Sequence, residues 1–368
     1  MTRSEARRPL RVLTVGPGPA SEVSRGGMAT VMTEMLRLGQ SSRSEVRLSV
    51  VVTHLDHGLV RKRLVGLAGM VRAALRVASG RADVLHVHLA HRGSVFRKSA
   101  PILAARLRGI PVVMHAHSYN FAAWYRATSP RVQSLTRHVL RADRWLVLGN
   151  DLADEYTEVL ALDPDRVEVL HNPAPKPHVV TPDPEAPILG LALGRLGERK
   201  GTFDVIAAIR SLNPATRARL RVILAGDGEV DRARAQSADL DCVEIRDWVG
   251  PAERDDLLAR ATFFLLPSYD EGLPMALLEA MAAGLIPVVS PVGAIPDVVR
   301  NLENGILVSP GDIDATAKAI GIIVSDRAGA AMLSKAAVAT AEQFGVEGWH
   351  DALLRVWTQV VEAREDGR

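Results

Sequence analysis

Glu271 and Glu279 lie eight positions apart in the stretch Pro267–Gly284, PSYDEGLPMALLEAMAAG. Apolar spacing starts a helix at about Met275, so Glu271 falls in the loop ahead of it and Glu279 about one turn inside. Between them, Gly272, Leu273, Pro274 and Met275 bring main chain to a helix N-terminus. Unpaired N–H groups and the helix dipole suit an anion or sugar hydroxyls there, and a carboxylate accepts hydrogen bonds from the hydroxyls of a sugar or ribose. The competing reading is plain acidic capping of a helix by Asp270 and Glu271.

A second group, Gly194-Arg195-Leu196-Gly197-Glu198-Arg199-Lys200-Gly201, follows a strand directly. Arg195 and Lys200 at a strand end can neutralise the charge that develops on a departing diphosphate. The spacing is not that of a P-loop, and a solvated basic turn is the alternative. Gly26-Gly27 lets main chain approach a phosphate closely, or is just a turn. Gly226-Asp227-Gly228-Glu229 reads as a tight turn at a strand end.

Ten of the eleven histidines lie in the first half, with His86/His88 and His115/His117 at the carboxyl ends of strands. Two histidines two apart can ligate a metal, but no carboxylate or cysteine accompanies them, so no metal is expected. What stays open is a histidine that hydrogen-bonds substrate or a set of satisfied core histidines.

These groups need elements to hold them. The first half has β-branched runs at Leu10–Val15, Val46–Val52, Val84–His88, Val112–His115, Trp145–Leu148 and Val167–Leu170, with amphipathic stretches such as Met28–Leu38, Leu64–Val77 and Ala100–Leu107 between them. Alternation of this kind predicts a doubly wound parallel sheet. Asn172–Pro187 then carries six prolines, and proline cannot continue a helix or a central strand. The pattern restarts at Ile188–Leu193, with strands at Arg221–Ala225, Val243–Ile245, Thr262–Pro267 and Pro287–Ser290 and helices at Gly201–Arg210 and Met275–Ala283. The expected organisation is a first domain over 1–172, a linker over 173–187, a second domain over 188–345 and a C-terminal helix over 346–368 that packs back on the first. Two such domains would form a cleft at the carboxyl ends of their sheets.

A length of 368 residues suits two domains at roughly 150 residues each. Cys242 is the sole cysteine, which excludes a disulfide framework or a cysteine metal cluster and fits a reducing compartment. The start MTRSEARRPL lacks the apolar core of a signal peptide, and no apolar run reaches a spanning length. A cytoplasmic location is expected, with peripheral contact at the inner face of the cell membrane. Residues 1–180 hold 26 Lys and Arg against 14 Asp and Glu, a net +12, and the remainder is −9. Either the first half meets something anionic, or this is a solubilising Arg-rich surface. Arg61-Lys62-Arg63, Arg72, Arg76 and Arg81 surround Leu64–Val77, and Arg92, Arg97, Lys98, Arg106 and Arg108 follow, a pattern suited to an anionic membrane or a lipid phosphate. Aromatic residues total 4% with no stacking pattern, which disfavours nucleic acid.

Taken together, GRLGERKG, LAGDGE, PSYDEGLPMALLEAMAAGLIPVVSPVGAIPDVV and NGILVSPGD resemble, in order and spacing, the donor-binding domain of the retaining glycosyltransferase family 4. RVLTVGPGPASEVSRGGMATVM, DVLHVH and PVVMHAHSYNF resemble its N-terminal domain, so the likeness covers nearly the whole chain. It implies a GT-B fold, two Rossmann-like α/β domains facing a central cleft, and transfer of a hexose-type sugar from a nucleotide diphosphate (UDP, GDP or ADP) to a glycan or lipid-linked acceptor in cell-surface polysaccharide or glycolipid synthesis. By the resemblance, Glu271 and Glu279 are the pair of the family's E-x7-E motif, holding the donor sugar and the ribose. The main chain at Gly272, Leu273, Pro274 and Met275 contacts the sugar and β-phosphate, and Arg195 and Lys200 grip the diphosphate. Gly26, Gly27, Gly194 and Gly228 approach the donor, and Trp248–Gly250 lies by the base. His117 stands beside the reacting centre, with His115 its rival if the strand register slips by two.

Two departures from the family pattern are visible. Asn172 precedes Pro173 where the family often has Asn-Gly, which weakens a donor role for that loop. Glu-Gly-Leu-Pro replaces the common Glu-Gly-Phe-Gly, and Pro274 lacks an N–H, although other members share that form. The implied reaction is retaining, by front-face departure of the nucleotide diphosphate, without a metal or other cofactor. A GT-B epimerase or hydrolase would need an acid/base carboxylate that the two glutamates do not supply. A non-catalytic sugar-nucleotide-binding subunit would have lost some of Arg195, Lys200, Glu271 and Glu279.

Overall fold

The computed structural model describes residues 8–21, 24, 26–40, 45–54, 59–179 and 187–366, with no side chains for 59–63. The N-terminal residues 1–7, the side chains of Arg61-Lys62-Arg63 and residues 180–186 of the proline-dense segment therefore lie outside the described residues.

Two six-stranded parallel sheets make up the architecture. The first contains β1 (Leu10–Pro17), β2 (Val46–His54), β3 (Val84–Leu89), β4 (Val112–Ala116), β5 (Arg144–Val147) and β6 (Val167–Val169), in the order β2-β1-β3-β4-β5-β6. The second contains β7 (Ile188–Leu193), β8 (Leu220–Ala225), β9 (Val243–Arg246), β10 (Phe263–Leu266), β11 (Ile286–Val289) and β12 (Ile306–Leu307), in the order β12-β11-β10-β7-β8-β9. Helices cover both faces of a parallel sheet, so its strands are buried on either side, as every residue of β3, β4, β10 and β11 is. The helix Gly27–Gln40 shows the matching pattern, burying Ala29, Val31, Met32, Met35 and Leu38 along one stripe.

The strand orders decide where ligands go. In the first sheet the chain reverses its direction of progress between β1 and β3, and in the second between β7 and β10. At such a switch point the connections leave the two strands toward opposite faces and open a crevice beyond their carboxyl ends. The loop after β7 starts at Gly194, and the loop after β10 runs through Glu271. Topology alone therefore sets the basic loop beside the acidic one.

The chain divides into two units, one formed by 1–171 with 347–368 and the other by 172–346. Each has its own core, with Trp145, Phe121 and Tyr156 in the first and Phe263, Leu265 and Ile320 in the second. The helix Val346–Asp366 is fastened to the first unit: Trp357 Nε1 donates to His86 Nδ1 at 3.1 Å, Arg355 pairs with Glu168 at 2.5 Å and Arg364 with Asp143 at 2.7 Å. The described start of the proline-dense segment is tied to the second unit, with Ala174 N donating to Phe344 O and His178 N to Ala282 O.

Candidate functional site

In the second unit, the loops after β7 and β10 are bound to each other. Tyr269 N donates to Arg199 O at 2.9 Å, and Arg199 Nη1 donates to Asp270 O at 2.7 Å. Gly201 makes the approach possible: its φ is +68°, and a Cβ there would stand 2.3 Å from Pro267 O. On the other side, Ala294 N donates to Gly272 O, and a Cβ on Gly293 would meet Glu271 O at 2.0 Å. Main chain thus holds the acidic loop from both sides.

Lys200 and Glu271 meet in this frame, with Nζ to Oε1 at 2.5 Å and Arg199 Nη1 at 3.5 Å from the same oxygen. Glu271 is only 6% exposed, yet two cations keep its charge compensated. Next to it, burial pushes the Asp270 carboxyl above its ordinary range despite Arg199, and the Glu271 charge adds to the rise. Glu279, in the helix Met275–Ala282, is 8% exposed and lies 3.3 Å from Arg254 Nη1.

Arg195 differs from these. It is exposed, without an ion-pair partner among the described residues, and lines a small pocket with Gly194, Lys200, Thr202, Leu265 and Leu266. Gly228 supports that loop from below. Leu196 N donates to Asp227 O at 2.7 Å, Glu229 N donates to Leu196 O at 3.0 Å, and Leu196 and Gly228 form a bridge. Gly272, Leu273 and Met275 are buried and Pro274 half-buried, with Pro274 as the N-cap of the following helix. Trp248, in the loop after β9, is 40% exposed.

Three members of this arrangement carry contacts that the sequence did not assign to them. Arg199 stands beside Lys200 in the same turn, and only the fold distinguishes which cation reaches which group. Arg254 comes from the helix Pro251–Arg260, with no spacing signal linking it to Glu279. Asn172 Nδ2 donates to Leu273 O at 2.7 Å, so this residue props the acidic loop through its side chain although Pro173 follows it.

In the first unit, Gly26 and Gly27 are exposed where the first helix begins after β1, and Gly26 O accepts from Ala29 N. The parallel register sets His88 of β3 beside His115 of β4, and the two-residue period of each strand puts His86 and His117 on the same face. Four imidazoles therefore gather, with ring centroids 4.2–5.4 Å apart. His86, His88 and His115 are fully buried, and of the His115/His117 pair only His117 is half-buried. Burial drives all four below the ordinary histidine range, His115 to about 3. Beneath them Lys98, brought down to about 7 by burial and by Arg97, donates to His88 O and to Ser94 Oγ.

Donor atoms of His86, His88 and His115 lie within 4.8 Å of one another, close enough to invite a metal. Ring chemistry opposes it. Trp357 can only donate, so His86 Nδ1 is its acceptor and the His86 proton sits on Nε2, which then has no lone pair for an ion.

Comparison with known proteins follows the same two units. Residues 24–175 match the family model described as Glycosyltransferase Family 4, and residues 176–340 the model described as Glycosyl transferases group 1. The D-inositol 3-phosphate glycosyltransferase of Mycobacterium marinum is 29% identical over 324 residues, 80% of this chain and 67% of the relative. Among solved structures, sucrose-phosphate synthase from Thermosynechococcus elongatus superposes with a TM-score of 0.73 at 19% identity, over 96% of this chain and 100% of the other. Anabaena HepE, solved in complex with UDP, gives 0.72 at 15% identity, over 95% and 100%.

Proposed function

Because this chain belongs to glycosyltransferase family 4 and is a transferase of the GT-B fold, we propose that it moves a hexose-type sugar from a nucleotide diphosphate to a glycan or lipid-linked acceptor, with retention of configuration. The carrying observation is the meeting of Lys200 and Glu271 at the switch point of the second sheet, with Arg195 exposed beside them.

In this reading Glu271 holds the donor sugar. Two cations do not saturate a carboxylate with about four lone-pair sites. Lys200 has three donors and uses one on Glu271, so the same ammonium also reaches a phosphate oxygen. Arg195 supplies the second charge on the diphosphate. Glu279, steadied by Arg254, takes the ribose hydroxyls. Gly272, Leu273 and Met275 present main chain to the sugar and β-phosphate, and Gly194 lets Arg195 turn toward them. By the family resemblance, Gly26 and Gly27 of the first unit are assigned to phosphate and His117 to the reacting centre. The departing diphosphate leaves from the face the acceptor attacks and takes the acceptor's proton. Arg195 and Lys200 supply the positive charge, so the reaction is independent of a metal. HepE was solved with UDP, which makes UDP-sugars the first donors to try.

A thermal-shift screen of UDP-, GDP- and ADP-sugars in EDTA tests the donor assignment. One nucleotide sugar at about 100 times its Kd is expected to add about 2.7 kcal/mol to stability and raise Tm measurably. No shift with any donor would remove the basis for the reading.

The acceptor end is proposed to lie at an anionic membrane on the inner face of the cell envelope, in polysaccharide or glycolipid synthesis. Leu64, Leu67, Val71 and Leu75 of the helix Leu59–Ala78 are exposed at helical spacing, as are Phe96, Leu103 and Leu107 of the helix Gly93–Leu107. Arg72, Arg92 and Arg108 are exposed among them. No helix among the described residues is long and apolar enough to cross a membrane. The protein should float with vesicles rich in phosphatidylglycerol at low salt and release as salt rises. Failure to bind at low salt would count against the membrane, and equal binding to neutral vesicles against the role of the arginines.

A further inference from the structure

His88 is bonded at both ring nitrogens, Nδ1 to His117 Nε2 at 2.8 Å and Nε2 to Met35 Sδ at 3.1 Å. A bond between two histidines does not by itself say which ring donates, because either neutral imidazole can play either part. The sulfur decides the direction. A thioether has no hydrogen to give and is only an acceptor, so His88 Nε2 carries the proton that faces it. A neutral His88 then has a bare Nδ1, which must accept, and the proton in the His88–His117 bond belongs to His117 Nε2. His117 is left with its lone pair on Nδ1.

Both rings are neutral in this chain of bonds. Burial disfavours the imidazolium at His88 and His117, and the neighbouring His86, His115 and Lys98 oppose further positive charge. Among the described residues no carboxylate bonds either ring to stabilise an imidazolium. Met35 is completely buried in the helix Gly27–Gln40, and its place there is set by the apolar stripe of that helix.

We propose that Met35 and His88 are positioning residues that fix His117 as the Nε2–H tautomer, so that His117 presents a bare Nδ1 as hydrogen-bond acceptor to a hydroxyl of the sugar or the acceptor. The substrate part of this statement rests on the donor-site reading above; the tautomer does not. The helix that begins at Gly26-Gly27 thereby has two tasks, offering amides at its start and setting the polarity of His117 from its third turn. A histidine in this state receives a hydroxyl's hydrogen bond and cannot give its ring proton at that atom. Protonation of the leaving group therefore does not come from His117 Nδ1.

Long-range nitrogen–proton correlation spectra of the protein with 15N-labelled histidine, together with scalar coupling across the His117–His88 bond, test the tautomer without any substrate. At pH 7.5 the bridging proton is expected on His117 Nε2, with His117 Nδ1 and His88 Nδ1 both unprotonated. A bridging proton on His88 Nδ1, or an imidazolium at either ring, would overturn the proposal. Met35→Leu keeps the volume and removes the acceptor, a swap that cores tolerate well. In that variant a second tautomer of His117 should appear, and kcat should fall severalfold with KM for the donor nearly unchanged. An unaltered tautomer would overturn the role of Met35. An altered tautomer with unaltered kcat would overturn the positioning role. Full activity in His117→Gln would instead refute the reading that places His117 by the reacting carbon, leaving the spectroscopic result intact.

Discussion

Lys200→Ala is expected to lower kcat about 100- to 1,000-fold, the loss seen when one preorganised charge-stabilising donor is removed from a transition state. Lys200 sits where the loops after β7 and β10 meet, with its ammonium 2.5 Å from Glu271. On the proposed reading, truncation removes positive charge from the departing diphosphate, and it leaves a nearly buried carboxylate with Arg199 at 3.5 Å. Glu271→Ala should cost a similar factor for another reason: the sugar loses its acceptor, and Lys200 its anchor. Lys200→Arg should recover part of the rate, since charge is kept while the geometry changes. Steady-state kinetics on purified variants, with melting curves to confirm folding, read these outcomes. Near-normal turnover in both alanine variants would sink the site assignment.

Acid is expected to unfold the first unit selectively. His86, His88 and His115 stay neutral in the folded protein well below the pH at which an unfolded histidine, with its ordinary value of 6.5, takes up a proton. The unfolded state then binds more protons, so stability is fully present above about pH 6.5 and is lost as pH falls toward the folded values. For His115 that window runs from 6.5 down to about 3. Between pH 7 and pH 5, His115 alone removes about 2 kcal/mol, and His86 and His88 act in the same direction. Of the eleven histidines, only His178 belongs to the second unit. Trp124, Trp145, Trp349 and Trp357 belong to the first and only Trp248 to the second, so tryptophan fluorescence follows mainly the first unit. Denaturant titrations should show its midpoint falling steeply from pH 7 to pH 5, and His115→Phe should flatten that dependence. Equal midpoints at the two pH values would refute the argument.

The fold was legible because parallel strands are covered on both faces. A strand such as Phe263–Leu266 must then be an apolar run, and runs of that kind are visible without knowledge of partners. β12 was not legible: Ile306–Leu307 is two residues long, and only its pairing with β11 makes it a strand. The same contrast holds at the site. Glu271 and Lys200 could be named from their loops, whereas Arg254 reaches Glu279 from a separate helix and Asn172 reaches Leu273 across 101 positions. Such contacts exist only once the chain is folded. The histidines were seen as two pairs, but their gathering depends on the register of β3 against β4, which no spacing within one strand reveals.

Trp357 belongs to the first unit and bonds to His86, although the whole second unit lies between them in the chain. During synthesis, residues 172–346 emerge in one piece, whereas the helix that carries Trp349 and Trp357 and belongs to the first unit leaves the ribosome after them. Domains ordinarily mature in the order in which they are made. Here the unit that begins first finishes last. Its apolar face stays uncovered by this helix for the time needed to translate the other unit.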